Sequence, residues 1–281
     1  MTERNVLALG TQSPFCVHLH STFQTPGRLF FVMDFVAGGD LMYHIMQQGR
    51  FSEVLSQFYC AEILLGLFFM HGRGIIYRDL KLDNVMVGAD GHICIADMGM
   101  AKEDISASNR ATTFCGTPDY IAPEIINGQS YDFSVDYWAL GVLLYEMLVG
   151  EAPFGGDDDD ELFQAILDND VHYPRHLSSS ASDLVKAFLT SDPDARLGSG
   201  SSGAEDIMGH AFFSSIDWDQ LNAKKVSPPF VPPSGSKMTL NFDSQFTGEK
   251  AAFTPVGKGA LKLIPQEEFA GFEFVNPAFA S

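Results

Sequence analysis

The sequence predicts an α+β protein with a small β-rich N-terminal part, a mainly helical body and an irregular C-terminal tail. Three observations carry this. Residues 15–25 and 29–36 are rich in apolar, strand-favouring side chains and are separated by the turn signal Thr25-Pro26-Gly27. Beyond residue 54, long apolar runs recur with helical spacing. From roughly 215 onward Pro, Ser and Gly rise and periodicity fades, as in a segment that lies along a domain rather than folding alone.

Each element follows in order. The first two segments read as a β-hairpin leading to the hinge, Met33-Asp34-Phe35-Val36, after which Gly38-Gly39 loosens the chain before a short helix. Residues 54–70 are apolar on nearly every face, which suits a buried helix. Short strands are expected at about 84–87 and 92–96, flanking the turn Asp90-Gly91. A mostly apolar helix is expected over 136–149, with weaker ones at about 159–168, 180–190 and 204–212. Ser199 to Gly203 reads as a flexible loop. The resulting division is 1–36, 37–213 and 214–281.

Composition narrows the function classes. With 46% hydrophobic residues among 281, the chain can bury a substantial core. Seventeen basic against 36 acidic residues give a net charge of −19, which argues against nucleic acid and anionic membrane as direct partners. Most of these carboxylates simply face water, and Asp157 to Glu161 suits the start of a solvated helix. Four cysteines without a C-x-x-C pair favour a reduced, cytoplasmic setting. The apolar runs 61–70 and 138–149, each holding one glutamate, fall short of the roughly 20 residues of a membrane span. The N-terminus does not read as a signal peptide.

The chemistry concentrates in Tyr77-Arg78-Asp79-Leu80-Lys81-Leu82-Asp83-Asn84. Asp79 suits the acceptance of a hydroxyl proton, Lys81 the neutralisation of a migrating phosphoryl group, and Asn84 the holding of a metal ion. Asp97-Met98-Gly99 adds a second oxygen ligand, and Gly116-Thr117-Pro118 and Ala122-Pro123-Glu124 follow. A lone loop aspartate is commonly a turn former. These elements, in this order and at these spacings, point instead to phosphoryl transfer.

On these residues the chain resembles a serine/threonine protein kinase, and Gly74 to Glu103 with Thr113 to Ile126 resemble the catalytic domain of protein kinase C. The wording Asn84-Val85-Met86 leans toward the conventional, calcium-responsive branch. Asn241-Phe242-Asp243, Thr254-Pro255 and Phe269 to Phe274 are similar to that group's three tail motifs, so the resemblance covers essentially all 281 residues. It implies a protein-kinase-like fold with a helical large lobe, a truncated small β lobe and a C-terminal tail. It also implies ATP and Mg2+ as cofactors.

By resemblance, Asp79, Lys81, Asn84 and Thr117 are catalytic, and Asn84 and Asp97 hold the metal. Asp34, Val36, Asp40, Met86, Asp97 and Phe242 contact the nucleotide. Asp40, Asp83 and Glu146 receive basic substrate side chains, so basic peptides or proteins are the expected substrates. Thr113 and Thr254 are the expected phosphorylation sites, with an upstream activating kinase as partner and Arg78 as the phosphate-binding residue. Glu124 and Arg196 match a pair that ties the activation segment to the large lobe, and Asp136 matches an aspartate that holds the catalytic loop.

Departures matter as well. Met98 replaces a phenylalanine, and Glu273 stands where a phosphorylatable residue is usual, bringing about one charge where phosphate brings nearly two. No glycine-rich phosphate loop precedes the hinge, and no Val-Ala-Ile-Lys strand is present. The expectation is therefore a kinase with reduced or absent activity in this chain alone, its surviving small-lobe strands exposed at their edges. The other expectation is a truncated, non-catalytic isoform acting as scaffold or decoy.

Overall fold

The structure, a computed structural model, describes residues 1–235, 239–255 and 265–279. It opens with helix α1 (Thr2–Gly10), whose Val6 and Leu7 turn into the core beneath a sheet. Strands β1 (Leu19–Thr25) and β2 (Arg28–Met33) pair antiparallel as a hairpin, turning at Pro26-Gly27. Their register slips between Leu19 and Ser21, which leaves His20 as an extra residue on β1.

After the linker come α2 (Leu41–Gln48) and α3 (Glu53–His71). Asp40 caps α2 by accepting from Tyr43 N at 2.7 Å, and Ser52 caps α3 by accepting from Leu55 N at 3.3 Å. Capping extends α3 beyond its apolar run to 19 residues, long and apolar enough by composition to cross a membrane. Here that surface is spent on packing against β4, α5 and α9. Strands β3 (Val85–Val87) and β4 (Ile93–Ile95) form a second small sheet close to the expected positions.

The helical body continues through α4 (Pro123–Ile126), α5 (Ser134–Val149), α6 (Asp159–Asp168), α7 (Ser179–Phe188), α8 (Ala204–Met208) and α9 (Trp218–Asn222). Helix α5 is buried along almost its whole length and forms the centre of the core with α3 and α7. The helix expected over 204–212 breaks early. Gly209 ends α8, His210 is extended, and Ala211–Phe213 forms a short 3-10 turn that buries Phe212 and Phe213.

The tail adds α10 (Ser244–Thr247) and β5 (Phe274–Val275). Strand β5 pairs antiparallel with β1 at Ser21 and Thr22, giving the order β2-β1-β5. The expectation that both surviving strands present open edges is thus corrected: the tail covers β1, and β2 forms the edge of this sheet. Aromatic contacts pin the tail along its course. Phe242 stacks on Phe35, Phe253 meets Phe30 edge-on, and Phe272 does the same against Phe31. Phe272 is almost fully buried, and Arg4 and Thr22 donate to its carbonyl. Its pocket is thus lined by α1, β1 and β2.

Candidate active site

The loop between α3 and β3 carries Asp79, Lys81 and Asn84 and meets Thr117 from the later segment, so four of the expected residues are in direct contact. Thr117 Oγ1 donates to Asp79 Oδ1 at 2.9 Å and accepts from Lys81 Nζ at 3.0 Å. Asn84 Nδ2 donates to both the carbonyl oxygen and Oδ2 of Asp79, each at 2.8 Å. Lys81 Nζ lies 3.5 Å from Asp79 Oδ2. Asp79 is buried and immobilised, with its carboxylate held from both sides. Asp97 stands on the next turn: Ala96 N donates to Asn84 O at 2.8 Å, placing the exposed Asp97 one residue from that bond. The Asn84 amide nitrogen is spent on Asp79, which leaves its oxygen for an oxygen-seeking cation such as magnesium, together with Asp97.

Helix α5 fixes the loop from beneath. Asp136 accepts from Tyr77 N at 2.9 Å and Arg78 N at 2.8 Å, and from His71 Nε2 at 2.8 Å. These bonds hold Arg78 at φ 70, a left-handed conformation that a non-glycine residue rarely adopts. Its guanidinium donates to Met100 O at 2.7 Å and to the Tyr131 hydroxyl at 3.1 Å. Tyr131 in turn donates to Thr113 O at 2.7 Å, so one phenol links Arg78 to the exposed Thr113. Burial, opposed by the Arg78 hydrogen bond, pushes the Tyr131 hydroxyl up to about 12.

A second group is acidic. Burial raises the Asp40 carboxyl above its ordinary value, and the nearby Asp83 adds to the shift. Glu146, 9% exposed, accepts from the Tyr120 hydroxyl. Burial pushes its pKa up to about 7, the Tyr120 bond lowers it, and Asp119 and Asp83 raise it further. Asp40, Asp83 and Glu146 thus form one electrostatic arc joined through Asp83.

The linker contributes the remaining residues. Gly38 N donates to Val87 O at 2.9 Å and Val87 N to Gly39 O at 2.7 Å, which sets Val36 beside the strand that carries Met86. Asn241 Nδ2 donates to Ala37 O at 3.1 Å, carrying Phe242 onto Phe35 with ring centroids 5.9 Å apart. Gly39, at φ +80, lets the Asn241 carbonyl approach to where a Cβ would stand only 2.1 Å away. Thr254 is exposed, and Arg28 donates to its carbonyl while lying over the Phe253 ring.

The comparisons with known proteins now bear on this geometry. The protein kinase domain family matches residues 1–213, and the protein kinase C terminal domain family matches residues 239–274. The chain belongs to the protein kinase family. It is 53% identical over 280 residues to protein kinase C delta type of Mus musculus, covering 99% of this chain and 41% of that protein. It is 50% identical over 280 residues to protein kinase C of Drosophila melanogaster, covering 99% and 38%. The eta type of Homo sapiens is 50% identical over 279 residues, with 99% and 41% covered. The chain spans about two fifths of the length of these relatives. Their delta and eta designations give no support to the conventional branch suggested by Asn84-Val85-Met86.

Within this kinase fold, several residues escaped sequence reasoning. Tyr120, Tyr131 and His71 act on partners 26, 53 and 65 positions away, and no local spacing announces such contacts. Conversely, Gly198-Ser199-Gly200-Ser201-Ser202-Gly203 has the spacing of a phosphate-binding loop. It follows no strand and leads only into the five-residue α8, so it lacks the strand-loop-helix setting that spacing requires.

Proposed function

We propose that this chain carries the catalytic loop, substrate face and tail of an ATP-dependent serine/threonine kinase of protein kinase C type, acting on basic peptides. The observation that carries this is the Thr117 hydroxyl bridging Asp79 and Lys81 while Asn84 locks the other side of Asp79. In this reading magnesium nucleotide supplies the phosphoryl group and neutralises its charge. The Asp79 carboxylate orients the substrate hydroxyl and takes its proton. Thr117 and Asn84 stop that carboxylate from rotating away, and Lys81 places positive charge beside it. Asn84 Oδ1 and the Asp97 carboxylate would hold magnesium. Asp34, Val36, Met86 and Phe242 would border the adenine.

Activity of this polypeptide alone is expected to be low. Losing one preorganised charge-stabilising group typically costs on the order of 10²–10³ in rate, and residues 1–33 hold no glycine-rich loop. Independent turnover at least about 10³-fold below that of complete kinases is expected. The test is transfer of labelled phosphate from ATP to a basic peptide, beside an Asp79→Ala variant. Turnover near that of complete kinases, abolished by the substitution, would refute the shortfall. No transfer with peptide binding retained supports the second reading, a binding scaffold or decoy. That reading draws on the acidic arc of Asp40, Asp83 and Glu146.

Substrate recognition carries its own pH signature. An arginine side chain needs Glu146 ionised, and Glu146 titrates at about 7. Affinity for an arginine-bearing peptide is therefore expected to rise about tenfold between roughly pH 6 and pH 8, measured by fluorescence anisotropy. Glu146→Gln is expected to flatten the profile; an unchanged slope would remove Glu146 from the substrate site. Stability runs the other way. Because the folded-state pKa lies above the ordinary 4.5, the neutral carboxyl stabilises the fold at low pH, and that contribution is lost as pH rises through about 7.

The phosphorylation sites, Thr113 and Thr254, and an upstream kinase acting on them belong to the same proposal. So do the cytoplasmic setting and the absence of nucleic-acid partners. The last is supported by the net charge of −19.

A further inference from the structure

We propose that the C-terminal segment Asn276–Phe279 positions the nucleotide-facing hinge by acting through His20 and Asp34. This rests on the reading of Asp34 to Val36 as the adenine contact.

The path begins at the register slip of β1. A bulged residue re-aims its side chain, and His20 is the residue left over between Leu19 and Ser21. Its ring reaches across the hairpin, where Nε2 meets Asp34 Oδ1 at 2.6 Å. A carboxylate only accepts, so Nε2 carries the proton and donates it. Asp34 is held from two further directions: its N–H donates to His18 O at 3.1 Å, and His18 Nδ1 lies 3.2 Å from Oδ2. Asp34, within the hinge, is thereby tied to β1 and the residue before it by backbone and side chain together.

The tail closes over this arrangement. Phe279 lies flat on the His20 ring, with centroids 3.9 Å apart and planes 9° from parallel. Its support is Asn276, 4% exposed, which grips the bulge by its backbone. Asn276 N donates to His20 O at 2.9 Å, and Nδ2 donates to Leu19 O at 2.8 Å. Its Oδ1 accepts from Ala278 N at 3.0 Å, forming the turn that carries Phe279 back over the ring. This grip is separate from the seating of Phe272 on Phe31. With Phe279 in place, His20 has one face covered and its donor fixed toward Asp34. Without it, the ring can turn into solvent and release the hinge carboxylate.

The experiment compares hydrogen exchange at the amides of residues 34–37 with binding of a fluorescent N-methylanthraniloyl ATP. Phe279→Ala is expected to speed hinge exchange about threefold to tenfold and weaken nucleotide binding to a similar extent, the scale of one aromatic pair. Phe279→Tyr keeps the stack and is expected to behave as the unaltered chain. His20→Phe keeps the stack but removes the Asp34 bond, and is expected to loosen the hinge like Phe279→Ala. Phe279 is 40% exposed, so its removal leaves the fold standing. Hinge exchange that is unchanged in Phe279→Ala, or that rises equally across the whole domain, overturns the proposal. Faster hinge exchange in a chain that binds no nucleotide supports the coupling and overturns the adenine reading instead.

Discussion

Replacing Arg196 with methionine is expected to destabilise the fold by about 3–5 kcal/mol, the usual consequence of stranding one member of a buried ion pair. Arg196 is 1% exposed, and its Nη1 and Nη2 donate to the two Glu124 oxygens at 2.7 and 2.9 Å. It also donates to Ser134 O at 2.9 Å and Thr190 O at 3.0 Å, and its guanidinium lies over the Trp138 ring. Methionine fills much of the space but satisfies none of these acceptors, and Glu124 is left buried and unpaired. The double variant Arg196→Met/Glu124→Gln is expected to recover part of the loss, because no full charge then remains buried. Urea unfolding with a slope unchanged between variants is the measurement. A single-variant loss below about 1 kcal/mol would show that Glu124 finds water or another partner, contrary to this account.

Asp136→Ala is expected to cost about 2–5 kcal/mol and to slow any phosphate transfer about 100-fold. The stability cost arises because two amide donors, Tyr77 N and Arg78 N, lose the carboxylate that receives them. The rate cost has a different origin. Arg78 sits at positive φ, and those two bonds are the ones that fix its backbone there; once relaxed, the chain carries Asp79 away from Thr117 and Asn84. Asp136→Asn retains one acceptor oxygen and should fall between. Amide exchange at Tyr77 and Arg78 separates the two effects, since it reports loop opening without requiring turnover. Exchange as slow as in the unaltered chain would place the support of the loop elsewhere.

Much of this was legible along the chain. The hairpin followed from two segments rich in apolar, strand-favouring residues on either side of Thr25-Pro26-Gly27, and α6 over Asp159–Asp168 followed from acids suited to a helix start. Asp79, Lys81 and Asn84 were legible because they lie within five positions of one another, where loop geometry leaves little choice. The tail was less legible. Phe274–Val275 is too short to signal a strand, and it becomes one only because β1 offers an unpaired edge. The break after α8 was missed because the apolar residues Phe212 and Phe213 continue the pattern past Gly209.

By itself, then, the sequence determined the family, the order of elements and the identity of the acid, cation and amide that meet in the loop. These depend on local periodicity and on motifs a few residues long. Tertiary structure alone decided which carboxylates are buried, that Glu146 faces Tyr120 and is held near neutrality, and that Tyr131 joins Arg78 to Thr113. It alone decided that the tail reaches back to His20. Burial and long-range hydrogen bonding arise only when distant segments share one core, and no short window of sequence contains both partners.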